Sequence, residues 1–263
     1  MSEVTAVPLY EGTFSVGTDK VFRRIDKDDP PHKRALKLSI NPFLIDDGDH
    51  KILFDAGLGD LFGGDTTIET ILTNLEEHSI SDYEITDIFL SHLHFDHIAG
   101  LANRQNGYWE LTFPQANIHV SEHAWKKLYS LIDDHLDMEQ DFIHFLDSHG
   151  EIRFLTTDDQ PLKYARTEMI GGHTEFHQVL FYENGNSKYL MAGDVIGTKS
   201  SVNRSYAAKF DHNPKEGMEQ RNRLQKLAHD DNYAIMAYHE THHPIFKLVD
   251  FEKNKGYKFQ NID

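Results

Sequence analysis

The sequence contains no cysteine, so disulfides and thiolate metal ligands are both excluded. It has no apolar run near the roughly 20 residues needed to cross a bilayer, and a membrane partner is not expected. It also lacks positive charge. With 43 acidic side chains against 26 basic ones, the net charge is −17. That balance argues against nucleic acid, whose phosphates demand a basic face. The segment Met1-Ser2-Glu3-Val4-Thr5-Ala6-Val7 has neither the basic nor the apolar region of a secretory signal, and the expected location is the cytoplasm. Long Pro/Gly linkers, low-complexity tracts and repeats are missing too. The 263 residues therefore read as one domain, 1–263, long enough to bury a large core.

What is abundant is histidine, with 18 in the chain. A polar surface that happens to use His and a metal centre both fit that number, and only spacing separates them.

Residues 36–45 and 51–54 are β-rich runs separated by the turn signal Asp46-Asp47-Gly48-Asp49, which predicts a hairpin. Thr66-Thr67-Ile68-Glu69 has capping-box form, and Ile68, Ile71, Leu72 and Leu75 recur at helical spacing, so a helix is expected to about His78. Short strands are predicted at 88–90 and 118–120, the latter followed by a helix from near Ser121. The alternation continues with strands at 166–170, 178–182 and 188–192. Asn213-Pro214-Lys215-Glu216 combines an N-cap, a proline at the first helical position and an early acid, opening a helix to about His229 ahead of a strand at 233–238. Interleaved strands and helices point to a layered α/β architecture.

The informative motif is Ser91-His92-Leu93-His94-Phe95-Asp96-His97, placed directly after an apolar strand. In extended backbone, residues two apart project to one side, so His92 and His94 can grip one ion. Asp96 and His97 come after the turn and can face a second. Imidazole and carboxylate suit Zn and similar divalent ions. One run cannot close two sites, however. Three further donors stand where strands are predicted to end: His173 in Gly171-Gly172-His173, Asp194 in Gly193-Asp194, and His239 after the strand at 233–238. Strand ends are where a rigid scaffold presents functional loops. His242 and His243 compete with His239, which is preferred because it ends its strand directly. His119, His123, His144 and His149 read as surface or core residues.

Together with Phe54-Asp55-Ala56-Gly57 upstream and Gly172-His173-Thr174, Gly193-Asp194 and Tyr238-His239-Glu240 downstream, this run resembles the metallo-β-lactamase superfamily over about residues 36–249. The resemblance implies a four-layer αβ/βα sandwich with two divalent metal ions, zinc first and Mn, Fe or Co as alternatives. By matching position, His92, His94 and His173 would hold one ion. Asp96, His97 and His239 would hold the other, with Asp194 bridging. Asp55 falls at a position that supports a ligand histidine rather than binding metal, and His177 would be another supporting group.

Two adjacent divalent ions make a hydroxide available near neutral pH. A hydrolase using a bridging hydroxide is therefore expected, with Asp96 and Asp194 catalytic and Asp96 orienting the hydroxide and protonating the leaving group. No Gly-x-Ser-x-Gly elbow is present. Within the superfamily the chain is similar to the quorum-quenching lactonase and methyl-parathion-hydrolase-like branch, which implies opening of N-acyl-homoserine lactones, a small-molecule substrate and a homodimer. Other esters, phosphotriesters and glyoxalase II-type thioesters are the alternatives, as is a metal-binding protein without catalysis. About 20 residues follow His243, too few for the helical extension the thioesterase reading needs. The known lactonases carry a tyrosine three residues after the bridging aspartate, where this chain has Gly197. Thr198 and Tyr206 are the candidates to replace it. Phe95, Tyr108, Trp109, Tyr206 and Phe210, in or beside segments 100–109 and 194–211, are expected to contact an acyl chain.

Overall fold

A computed structural model describes residues 4–60, 65–131, 138–204, 208–253 and 255–262. The chain forms two compact units, Met1–Phe154 and Leu155–Asp263.

The first unit opens with β1 (Thr5–Pro8), β2 (Gly12–Val16), β3 (Phe22–Ile25), β4 (Leu36–Ile40), β5 (Phe43–Asp46) and β6 (Lys51–Phe54). Next come α1 (Glu69–Glu77), β7 (Asp87–Phe89), α2 (Phe95–Ile98), β8 (Ala102–Asn103) and β9 (Glu110–Leu111). It closes with β10 (Asn117–Ser121), α3 (Glu122–Leu131), α4 (Met138–His149) and β11 (Glu151–Leu155). Its main sheet has the order β1-β5-β6-β7-β10-β11. The predicted β5–β6 hairpin forms, pairing Phe43 with Phe54 and Asp46 with Lys51. Asp46 Oδ1 accepts the Gly48 N–H at 2.8 Å and Asp47 Oδ1 accepts the His50 N–H at 2.8 Å, the local side-chain bonding that makes Asp a turn residue.

The run at 36–45 is not one strand. Pro42 interrupts it, since proline has no N–H for a ladder. β4 instead joins a separate sheet of order β3-β2-β4, while β5 stays in the main one. The capping box expected at Thr66–Glu69 is also absent. Ile68 is the N-cap of α1 and makes no side-chain cap bond. A capping box forms instead at Ser81–Glu84, on a 3-10 turn just ahead of β7.

β6, β7 and β10 run parallel. Ile88 and Leu90 pack into a core with Ile71 and Leu75 of α1, Trp125 of α3 and Phe142 and Leu146 of α4. Burial of apolar surface, at about 25 cal/mol per Å², holds the ends of these strands in place. On the other side of the strand, His119 is a core residue. Its Nε2 lies 2.7 Å from Asp87 Oδ1 and its ring stacks on Phe89.

The second unit contains β12 (Asp158–Asp159), β13 (Ala165–Met169), β14 (Gln178–Asn184), β15 (Ser187–Met191), α5 (Pro214–Asp230), β16 (Ala234–Met236), β17 (Ile245–Glu252) and β18 (Gly256–Asn261). They form one seven-stranded sheet in sequence order. Every pairing is antiparallel except β15–β16, which α5 crosses over. Asn213 caps α5 as the sequence predicts, its side chain accepting the Glu216 N–H at 3.3 Å. Leu224 and Ala228 of α5 pack with Phe181, Leu190, Ile235 and Phe246. The mixed α/β class is thus as expected. No described helix is long and apolar enough to cross a membrane.

Candidate metal centre

In the first unit, β7 ends at Phe89, the chain bends at Ser91, and His94, itself extended, precedes α2. His92 and His94 bring their rings together. His92 Nε2 and His94 Nδ1 lie 2.9 Å apart, with ring centroids at 4.5 Å. Asp96 and His97 follow on α2, where Asp96 Oδ2 is 3.8 Å from His97 Nε2. His92 and His97 are buried, Asp96 is half-buried and His94 is exposed.

One fully buried carboxylate organises this group. Asp55, immediately after β6, has a positive φ of 55°, a conformation Asp tolerates better than most residues. Its Oδ1 accepts the Ser91 N–H at 2.7 Å, and its Oδ2 accepts the Ser91 hydroxyl at 2.8 Å and His97 Nδ1–H at 2.7 Å. Ser91 Oγ in turn lies 3.0 Å from His92 Nδ1. With the Nδ1 nitrogens of both rings held, their Nε2 atoms are the ones presented outward, and a carboxylate behind an imidazole raises its basicity as a ligand.

In the second unit, Asp194 sits on a 3-10 helix, Gly193–Ile196, at the end of β15. Its two oxygens face different imidazoles: Oδ2 is 3.2 Å from His173 Nε2 and Oδ1 is 3.0 Å from His239 Nε2. His173 is held from behind by Asp211, whose Oδ1 accepts Nδ1–H at 2.9 Å. Sequence reasoning missed Asp211 as a partner. It lies in the loop before α5, far from His173 along the chain, and no local pattern marks it. The backbone supports the same ring: His212 N–H donates to the His173 carbonyl at 3.0 Å and Asn213 N–H to that of Gly172 at 2.9 Å. Gly172 has φ +89°, and a Cβ there would come within 2.6 Å of Gly217 Cα, so that close approach to α5 requires glycine.

His177 is buried and donates from Nε2 to the Ala192 carbonyl at 3.0 Å, anchoring the strand end just before Asp194. His242 and His243 are exposed, in contrast to buried His239. Glu240 holds the loop beyond His239, accepting the N–H groups of Lys199, Thr241 and His242. Lys199 Nζ donates to the His242 carbonyl at 2.9 Å and to Asn261 Oδ1 at 2.8 Å. Burial pushes the Lys199 ammonium below its usual value, partly offset by Glu240.

The Gly197 carbonyl accepts the His239 N–H at 2.8 Å, and a Cβ on Gly197 would meet His239 Cδ2 at 3.4 Å. The Thr198 hydroxyl lies 3.0 Å from Ser200 Oγ, and Tyr206 lies outside the described residues. Of the expected pocket aromatics, Phe95 and Trp109 pack on Phe142 at 6.1 and 5.3 Å as part of the first unit's core, while Tyr108 and Phe210 are exposed.

The donor chemistry fits divalent metal: neutral imidazoles with one nitrogen held and the other presented, beside carboxylates. The sequence profile of the metallo-β-lactamase superfamily matches residues 36–239, and the chain belongs to that family. By class it is a hydrolase, and the mixed sheets and helices agree with the family's sandwich fold.

Among solved structures it is similar to a probable metal-dependent hydrolase from Staphylococcus aureus, at 19% identity and a TM-score of 0.76 over 100% of this chain and 99% of the other. It is similar also to AidC, a dizinc quorum-quenching lactonase in complex with a product, at 20% identity and a TM-score of 0.77 over 100% and 96%. An N-acyl homoserine lactone hydrolase with bound N-hexanoyl-L-homoserine matches at 21% identity and a TM-score of 0.65 over 91% and 93%. No curated protein matches the chain in sequence.

Proposed function

We propose that the chain is a dinuclear metal hydrolase that opens N-acyl-homoserine lactones, its two units acting as halves of one domain. The observation that carries this reading is Asp194, whose two carboxylate oxygens each face a different histidine, the arrangement a bridging ligand needs. In this reading His92, His94 and His173 hold one ion, Asp96, His97 and His239 hold the second, and Asp194 serves both. Zinc is the first choice, in keeping with the dizinc lactonase of the same fold.

When bound, such ions supply Lewis acidity and a water of lowered pKa. The protein's own residues then do the rest. Asp55 and Asp211 engage Nδ1 of His97 and His173, the tautomer in which Nε2 carries the lone pair a metal needs. Asp96, half-buried beside His97, is the group placed to take a proton from the attacking water and return it to the alkoxide that leaves when the ring opens. A small-molecule substrate, a homodimer and a cytoplasmic location complete the proposal.

Metal-analysed protein should be assayed against N-acyl-homoserine lactones, thioesters, aryl esters and phosphotriesters. Lactones should give the highest kcat/KM. If they react no faster than simple aryl esters, the lactone reading fails while metal-dependent hydrolysis stands.

A further inference from the structure

Glu11 precedes β2, outside the segment matched by the family profile, and is 4% exposed. Its Oε2 accepts the Leu58 N–H at 2.8 Å. Its carboxyl fills the space that Gly57 leaves: φ at Gly57 is +79°, and a Cβ there would fall 2.1 Å from Glu11 Oε1. Arg24 of β3 covers the same position, donating to the Glu11 carbonyl and to the Asp65 carbonyl at 3.0 Å each. The turn under Glu11 is in turn locked to α2. Ala56 N–H donates to the His97 carbonyl at 2.7 Å and Gly100 N–H to that of Gly57 at 3.1 Å. A Cβ on Gly100 would sit 1.9 Å from the Ala56 carbonyl oxygen, so the two segments touch backbone to backbone.

We propose that Glu11 is a positioning residue for the metal centre. Its carboxyl props the Gly57–Leu58 turn, and through that turn it fixes both the Asp55 carboxylate and the backbone of His97. The N-terminal segment thereby reaches the centre without touching a metal donor.

Burial raises the Glu11 carboxyl to about 8, against the lowering effects of the Leu58 N–H and Arg24. At neutral pH the carboxyl is therefore held mainly in its protonated form. Arg24 is the charged group that faces it, and Asp65 engages Arg24, its Oδ2 accepting the Arg24 N–H at 3.3 Å. As pH rises from 4.5 towards 8, the state in which the turn opens and the carboxyl ionises in water gains weight over the closed one.

The test uses the full-length chain. In metal-free protein, amide exchange over residues 55–60, corrected for its intrinsic pH dependence, should lose protection by up to roughly tenfold per pH unit between 4.5 and about 8 and level off above that. In Glu11→Gln, which keeps an acceptor of the same shape, that loss should vanish. Chelator competition with zinc should show Glu11→Ala binding the more weakly held ion roughly 10- to 100-fold less tightly, with Glu11→Gln close to the parent. A Glu11→Gln profile superimposable on the parent's overturns the proposal, even if Glu11→Ala fails to fold. Unchanged zinc affinity in a folded Glu11→Ala overturns it too. Should the parent chain bind no metal pair, the functional reading above falls, while the exchange profiles still decide the part played by Glu11.

Discussion

Asp194 is half-buried and meets His173 through one oxygen and His239 through the other, so a single substitution removes a shared partner from both. Asp194→Ala should lower metal content to one ion or fewer per chain and reduce hydrolysis by at least about 10²-fold, the scale on which a central electrostatic contributor acts. Metal analysis alongside ester and lactone assays checks both. Full activity in that variant would sink the two-metal model. The residues behind the ligands make a finer test. On the proposed ligand set, Asp211→Asn should weaken the ion assigned to His173, and Asp55→Asn the ion assigned to His97, each roughly 10- to 100-fold in chelator competition.

These two supporting acids differed in how visible they were beforehand. Asp55 sits in Phe54-Asp55-Ala56-Gly57, directly after a strand and within a family motif. Asp211 meets His173 across a loop that carries no pattern, because a single hydrogen bond imposes no period on the sequence between its partners.

At the scale of elements, the second unit depends on how α5 begins. Asn213 caps the helix, and the residues just before it hold the Gly172 and His173 carbonyls. Asn213→Ala should cost about 1 kcal/mol, read in denaturant melts. Gly172→Ala should cost more, since it joins a left-handed backbone to a contact with Gly217 that leaves no room. It should also weaken metal binding, because the same backbone aims His173.

Elements with a strong local signal were legible: the Asp46–Asp49 turn, the α5 cap, and the strands that lead into His92, His173 and Asp194. Those that depend on distant partners were not. β2 and β3 have little apolar alternation and are stabilised by tertiary contacts such as Thr13 with Ser39 and Phe14 with Phe22. Pro42 divided a run whose composition looked continuous. At Thr66–Glu69 the right residue types for a capping box were present, but Ile68 takes the N-cap position and Thr67 makes only a local bond, its hydroxyl accepting the Glu69 N–H at 3.4 Å.

For the whole molecule, two buried acids bound the pH range of stability. At Asp87, burial pushes the carboxyl up, but the hydrogen bonds from His119 and Thr86 more than offset this and leave it below the usual carboxylate range. That contribution is present above the unfolded value of 3.8 and is lost as pH falls through the lower folded value. Glu11 has the opposite sign. Its folded value of about 8 lies above the unfolded 4.5, so its contribution is complete below 4.5 and drains away as pH rises towards 8. The parent chain should therefore lose several degrees of Tm between about pH 5 and pH 8, and Glu11→Gln should lose fewer. Thermal melts across that interval check the difference.

The tail of the second unit gives the molecule a further property. Asn261 on β18 accepts from Lys199, which lies just past Asp194, while Glu240 joins Lys199 to the loop beyond His239. Pruning the chain ahead of Gly256, or fusing a bulky tag there, would slacken both of these loops together. Such a protein could keep its fold and still be purified with little metal, so handling of this end could be mistaken for a chain that was never an enzyme.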